Sequence, residues 1–355
     1  MQDCKIKYPL KFYPLLKQTL WGGNRIIPFL SLENEVDCEG VPYGGQGNIG
    51  EYWAVSAIEG FESVVSNGKL KGRSLSDISD SFREALLGKK NYIKFKDKFP
   101  LLVKFIDAAQ DLSVQVHPND KLAQIRHNCS GKTEMWYVLD ANSQAKLMSG
   151  FKDNITAEQY NRMTVHEVVG ALQRYDVTPG DMFYLPAGTV HSIGTGAFIA
   201  EIQQTSDITY RIYDFDRRDK SGNFRELHTE LAAEAIDYSF GGSCKIDYTR
   251  PCSNSSDAWK HTFEAVSCEH FSTGVISLEK GNAESGGSSE YNFNYAELDS
   301  FVIITCVKGA CRMIYDNGNV MTLKRGDVVL LPADLKEVSI KVEDSAGCVL
   351  LETHI

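Results

Sequence analysis

The chain has 355 residues, 43% hydrophobic and 24% charged, which is the composition of a globular protein with apolar material for more than one core. Its formal charge of −10 argues against non-specific nucleic-acid binding and against adhesion to an anionic membrane, although a local Lys/Arg cluster could still hold a small anion. Nine cysteines without a C-x-x-C pair, no secretory apolar run and no stretch approaching ~20 apolar residues predict a soluble, cytoplasmic protein with free thiols.

In the first hundred residues, GEYWAVSAI and FESVVSNG predict short strands, with Asn67-Gly68 as a hairpin turn. Ile78, Phe82, Leu86 and Leu87 recur at helical spacing, so a helix is expected from Ser76 to Leu87, stopped by Gly88. From Phe99 onward, short apolar runs alternate with Gly, Pro, Asn and Asp, the pattern of a β-sandwich or small barrel. Thr156 to Gln159 and Thr164 to Glu167 both fit capping boxes, and Val168, Leu172 and Tyr175 extend the second apolar stripe. Another helix is expected over Leu227 to Tyr238. These helices are read as packing on the barrel's outside or screening its mouth. Ser253 to Asp257 and Gly286 to Ser289 read as polar loops.

The last third repeats part of this pattern. GDMFYLPAGTVHSI, from Gly180, aligns with GDVVLLPADLKEVSI, from Gly326, placing Asp327 on Asp181 and Pro332 on Pro186. Glu337 then stands where His191 does, and Asp334 replaces Gly188. The expected architecture is mainly β: two β-barrel or jelly-roll domains, with a few helices on the N-terminal one. The first domain spans 1–242 and the second, metal-free, 243–355.

Two strings carry the chemistry. In LSVQVHPND, Ser113, Gln115 and His117 leave one face of a strand. In GDMFYLPAGTVHSI, the spacing G-x5-P-x-G-x2-H is a β-barrel metal motif, in which the glycines permit tight turns and Pro186 fixes the chain that delivers His191. Between them lies Glu134, in GKTEMWYVL. Two imidazoles, a carboxylate and the Gln115 amide oxygen make a four-ligand shell for a divalent cation, most simply one Zn2+ per chain. Gln115 could instead hydrogen-bond to a metal-bound water.

The runs LSVQVHPND, GKTEMWYVLDA, FYLPAGTVHSIG and AEIQQTSDITYRIYDFDR resemble the short bacterial form of class I mannose-6-phosphate isomerase, a cupin-superfamily zinc enzyme. The resemblance extends to LKFYPLLKQTLWGG and GEYWAVS, so that clear matches run from about Leu10 to Arg217. It implies zinc held by His117, Glu134 and His191 with Gln115, and Arg211 as the catalytic arginine. It also implies isomerisation of mannose 6-phosphate and fructose 6-phosphate through a cis-enediol. Arg211 would stabilise the enediolate, being permanently cationic and rich in fixed donors; its bland alternative is an exposed pair with Asp214 or Asp216. Alternation on ITYRIYD places Thr209 and Arg211 on one face. Glu201 and Lys132 are both candidates to move the proton, and a cation's field would lower the Lys132 pKa. Lys104, Ser113, Lys132 and Arg211 are the candidate substrate-binding residues, with Trp21 and Trp53 either walling the pocket or buried in the core.

The expected partner is a small sugar phosphate, with neither nucleic acid nor membrane; the oligomeric state stays open. Competing readings are another cupin metalloenzyme, either an isomerase of an unphosphorylated sugar or an oxygenase, and a non-catalytic sugar-binding cupin.

Overall fold

The computed structural model describes residues 5–219, 221–248, 260–280, 289–342 and 345–355. The chain is mainly β. A seven-stranded sheet runs in the order Leu15–Gly23, Ile49–Val55, Leu101–Asp107, Ala197–Gln204, Glu134–Ala141, Met182–Leu185 and Lys245–Ile246. A five-stranded sheet runs Tyr210–Tyr213, Val114–Val116, His191–Ile193, Lys146–Phe151 and Leu172–Asp176. An eight-stranded sheet takes the strands from Lys260–Ser267 to Cys348–His354. The strand Lys245–Ile246 pairs with Met182–Leu185.

The seven-stranded sheet is covered on both faces, and the two-residue period of its strands sorts the side chains. Val103, Phe105, Met135, Tyr137, Ala200 and Ile202 join a core shared with Phe271, Phe301, Ile303, Leu330 and Leu351 of the eight-stranded sheet. Ile106, Trp136, Val138 and Ile199 face the other way and pack against Leu147 and Ile193 of the five-stranded sheet. Lys104, Glu134 and Glu201 alternate with the outward set on these same strands and are buried too. Polar residues inside a barrel need a purpose or a partner.

Helices cover the outer face of the five-stranded sheet: Val168, Ala232 and Tyr160 pack with Val114, Val116, Tyr210 and Ile212. Both predicted capping boxes form, on Thr156/Gln159 and Thr164/Glu167. The second helix stops at Ala171, however, and Leu172 and Tyr175 lie in a strand paired with Lys146–Phe151. Sheet pairing overrides the helical stripe there. The helix expected over 76–87 is two helices, Leu75–Phe82 and Glu84–Leu87, broken at Arg83 with φ +48°. The last predicted helix shrinks to Thr229–Ala235. Asn67-Gly68 makes no two-residue hairpin. Gly68–Leu70 is a 3-10 turn, the Asn67 amide accepts from the Lys11 N–H at 2.9 Å, and the chain returns through the bridge Val64–Ser74. The expected loop Ser253 to Asp257 and most of the one at 286–289 lie outside the described residues.

The turn that opens the internal repeat is reproduced in its bonds. Gly180 and Gly326 have φ of +95° and +94°, a region that favours glycine. Each N–H donates to a strand carbonyl at 2.8 Å, Val138 for Gly180 and Cys306 for Gly326. Asp181 accepts from the Thr178 N–H at 2.9 Å as Asp327 does from Lys324 at 2.9 Å. Strands then begin at His191 and at Glu337. Leu185 pairs with Glu134 and Leu331 with Val302, so an apolar residue occupies the equivalent of Glu134. The seven cysteines among the described residues are free.

Candidate metal centre and cleft

His117 follows the strand Val114–Val116, Glu134 opens a strand of the seven-stranded sheet, and His191 opens a strand next to Gln115. Their ligand atoms lie within 4.8 Å of one another, all buried. His117 Nε2 is 3.4 Å from Glu134 Oε1, and His191 Nε2 is 3.6 Å from Oε2. Each imidazole is oriented from behind: His117 Nδ1 donates to the Ile208 carbonyl at 2.8 Å and His191 Nδ1 to the Thr189 carbonyl at 2.8 Å. A carbonyl only accepts, so Nδ1 carries the proton and Nε2 turns its lone pair inward.

Burial, with Lys132 second, pushes the His117 pKa down to about 3, and burial lowers that of His191 as well. Both rings are therefore neutral, as metal ligands must be. Burial alone would raise the Glu134 carboxyl, but the charged Lys132 beside it outweighs that and holds it well below the usual carboxylate range. Lys132 Nζ stands 2.6 Å from Oε1, yet neither carboxylate oxygen accepts a well-directed hydrogen bond. Two inward lone pairs and a buried carboxylate short of donors fit a divalent cation. Gln115 adds its amide. Nε2 lies 3.3 Å from His191 Nε2, Oε1 accepts from Ser113 at 3.2 Å, and rotating the amide would bring the oxygen inward.

Gln115 and Lys132 belong both to this cluster and to a cavity of about 230 Å3 above it. Its lining includes five cations (Lys17, Lys104, Lys132, Arg211 and Arg225) against three acids (Glu51, Glu201 and Asp207). The cleft is thus locally cationic within an acidic chain, which suits an anionic ligand. Lys104 and Glu201 are cross-strand partners, with Nζ 3.5 Å from Oε1. Trp136 Nε1 donates to the other Glu201 oxygen at 3.0 Å. Burial, then Glu134, raises the Glu201 carboxyl. Burial pulls the Lys132 pKa down, but Glu134 and Glu201 prevail and raise it.

Arg211 sits opposite Gln115 in the sheet register. Its expected alternative pairing does not form. Asp214 accepts from Arg217 at 2.6 Å and from Arg225 Nε at 2.7 Å, and Asp216 accepts from the Tyr213 hydroxyl at 3.0 Å. Arg211 donates to the Glu226 carbonyl at 2.9 Å, and its Nε is buried without an acceptor. Thr209 also lines the cavity, while Tyr210 and Ile212 pack in the outer core, as strand alternation requires. Trp21 and Trp53 are both buried and in the cavity wall. Lys17, Glu51, Asp207 and Arg225 were not anticipated. Lys17 and Glu51 reach the site only through strand pairing, and Arg225 through a loop with no period to read.

Residues 10–154 match the family model described as the phosphomannose isomerase type I catalytic domain. Over 343 residues the chain is 37% identical to mannose-6-phosphate isomerase ManA of Bacillus subtilis, covering 96% of this chain and 98% of that one. It is 38% identical to the mannose-6-phosphate isomerase of Streptococcus mutans over 228 residues, 64% of this chain and 67% of the other. The crystal structure of a Bacillus subtilis mannose 6-phosphate isomerase superposes with a TM-score of 0.80 at 30% identity, covering 98% of this chain and 99% of that one. A Salmonella typhimurium phosphomannose isomerase variant shares the fold, with a TM-score of 0.71 at 16% identity, covering 98% and 99% of the two chains.

Proposed function

The chain belongs to the type I phosphomannose isomerase family, and from that premise we propose that it interconverts mannose 6-phosphate and fructose 6-phosphate with bound zinc. The observation that carries the reading is the cluster of neutral His117 and His191 with ionised Glu134, joined through Gln115 and Lys132 to a cleft with more cations than acids. His117, Glu134 and His191, with the Gln115 amide oxygen, are the proposed ligands. Zinc would supply Lewis acidity towards the substrate's oxygens.

The remaining chemistry is assigned to side chains. A proton must pass between C2 of the aldose and C1 of the ketose through a cis-enediol. Glu201 is proposed to carry it: the carboxylate lines the cleft, and burial raises its affinity for a proton towards neutrality. Lys104 and Trp136 hold the two Glu201 oxygens in place. Lys132 keeps its charge beside Glu134 and is proposed to bind a substrate oxygen. Arg211, uncommitted to any carboxylate among the described residues, is proposed to stabilise negative charge as the enediolate develops. Ser113, bonded to Gln115, and Lys104 complete the proposed substrate contacts.

The eight-stranded unit is proposed to be a metal-free second domain, since Val302 and Glu337 stand at the ligand positions. The boundary then lies after Ile246 rather than at 242.

A coupled assay with mannose 6-phosphate, before and after chelation, tests the function. Turnover should vanish with chelator and return with added zinc. An unaffected rate would overturn metal dependence, and no turnover in the zinc-loaded protein would overturn the isomerase itself.

A further inference from the structure

Arg211 and Arg225 both line the cleft. Burial, then the Arg225 charge, lowers the Arg211 pKa, so the two guanidinium groups stand close enough to repel. What holds them there lies behind the wall. Asp214, which directly follows the strand Tyr210–Tyr213, is 4% exposed and is not among the residues lining the cavity. Its carboxylate grips Arg225 as a fork: Oδ2 accepts from Nε at 2.7 Å, and Oδ1 accepts from Nη2. Oδ1 also accepts from Arg217 Nη2 at 2.6 Å. Arg217 in turn donates from Nη1 to the Asp111 carbonyl, ahead of the strand Val114–Val116. Burial would raise the Asp214 carboxyl, but Arg225 and Arg217 outweigh it and keep the group ionised.

The backbone on either side is shaped around this carboxylate. Phe215 and Asp216 have φ of +55° and +54°, a left-handed conformation that costs a phenylalanine roughly 1–3 kcal/mol. The turn brings Arg217 back onto Asp214, whose carbonyl accepts from the Arg217 N–H at 3.2 Å and from its Nε at 3.1 Å. Such strain persists only where the surrounding bonds over-determine it. On the other side, the residue after Arg225 supplies the acceptor for Arg211, whose Nη1 donates to the Glu226 carbonyl at 2.9 Å. His228 completes the stitch, its N–H donating to the Arg211 carbonyl at 2.7 Å and its Nδ1 accepting from the Arg211 N–H at 3.2 Å. Segment 225–228 is thus fastened to Asp214 at one end and to Arg211 along the rest.

We propose that Asp214 is a positioning residue for the isomerisation: its buried carboxylate, without touching the substrate, fixes Arg225 and so holds the Glu226 carbonyl where it aims the Arg211 guanidinium into the cleft. The inference rests on the role given to Arg211 above. Without the carboxylate, Arg225 and Arg217 lose their counter-charge, and Arg211 loses its fixed acceptor beside an unrestrained like charge. A misplacement of about 1 Å at a group that stabilises developing charge can cost about 10²-fold in rate.

The test is a double-mutant cycle on the full-length, zinc-loaded chain with Asp214→Asn, Arg211→Ala and the two combined. Asp214→Asn should lower kcat roughly ten- to a hundredfold, with KM changed far less and bound zinc unchanged. In the Arg211→Ala background the same substitution should cost less than about threefold, because its target is gone. Equal fold-losses in both backgrounds overturn the positioning role, since a merely structural residue acts regardless of Arg211. The crystal structure of Asp214→Asn decides independently of turnover: Arg211 displaced from the Glu226 carbonyl supports the proposal, and an undisturbed contact overturns it. If Arg211→Ala keeps the wild-type rate, the reading of Arg211 falls, and the crystal structure alone decides what Asp214 holds. Should Asp214→Asn fail to fold, the structure of Arg225→Lys, which keeps the charge but cannot fork, carries the same two outcomes.

Discussion

Arg211 carries a buried Nε without an acceptor and donates from Nη1 to the Glu226 carbonyl, so its charge is directed by geometry without being quenched. Arg211→Ala should therefore retain bound metal while kcat falls roughly 10²- to 10³-fold, the usual cost of removing a donor from a developing oxyanion. Metal content measured beside the rate decides: loss of both together would make Arg211 structural, and an unchanged rate would remove it from the mechanism. Glu201→Gln keeps the Trp136 contact and should cost about 10²- to 10⁴-fold in kcat, since it deletes the proposed proton carrier. Residues on short, regularly spaced strings were legible from sequence. Ser113, Gln115 and His117 share a strand face, and Pro186 and Gly188 announce His191. Lys17 and Arg225 were not, because an edge-strand lysine acquires meaning only when Trp53 and Phe61 are folded beneath it.

At the scale of elements, the turn before His191 does more than reverse the chain. Gly188 has φ +92°, its N–H donates to the His117 carbonyl at 2.9 Å, and its carbonyl accepts from the Asp237 N–H at 3.0 Å. One glycine thus ties the two histidine-bearing segments to the end of the helix Thr229–Ala235. A Cβ there would lie 2.8 Å from Asp237 Cβ and 3.0 Å from the Ala235 carbonyl oxygen. Gly188→Ala is expected to destabilise the protein by about 1–3 kcal/mol and to weaken metal binding. Gly170→Ala, within the helix Val165–Ala171 and with nothing within 4 Å, should stabilise by about 0.5–1 kcal/mol. Denaturant melts of both variants check the contrast, and equal effects would mean that the turn is not under geometric constraint. Caps were readable because they depend on neighbours three residues apart. The strand Leu172–Asp176 was not, because its pairing with Lys146–Phe151 is non-local and displaced a genuine helical stripe.

For the whole molecule, acid is the expected weakness of the metal-free protein. His117 and His191 are buried neutral, the former with its pKa pushed down to about 3 by burial and Lys132. An unfolded histidine takes up a proton near pH 6.5, so this stability is complete above that value and is lost as pH falls towards the folded pKa. His117 alone should cost roughly 2 kcal/mol between pH 7 and pH 5. Asp214, held low by Arg225 and Arg217 against its own burial, adds a loss below about pH 4. Urea melts of chelated protein at pH 7 and pH 5 measure the first step, and a flat profile would contradict the buried neutral pair. Two-barrel architecture was visible in the Gly-Asp-Pro repeat, whereas the shared core between the sheets was not, since outward residues such as Phe105 and Leu330 reveal their partners only on folding. That repeat bears on how the cation arrives. The glycine bracket at Gly326 closes around Val302 and an exposed Glu337 with the same bonds that Gly180 makes near His191. A scaffold that assembles without coordinating side chains does not require an ion as a staple. The bonds of this turn therefore form whether or not a cation is bound.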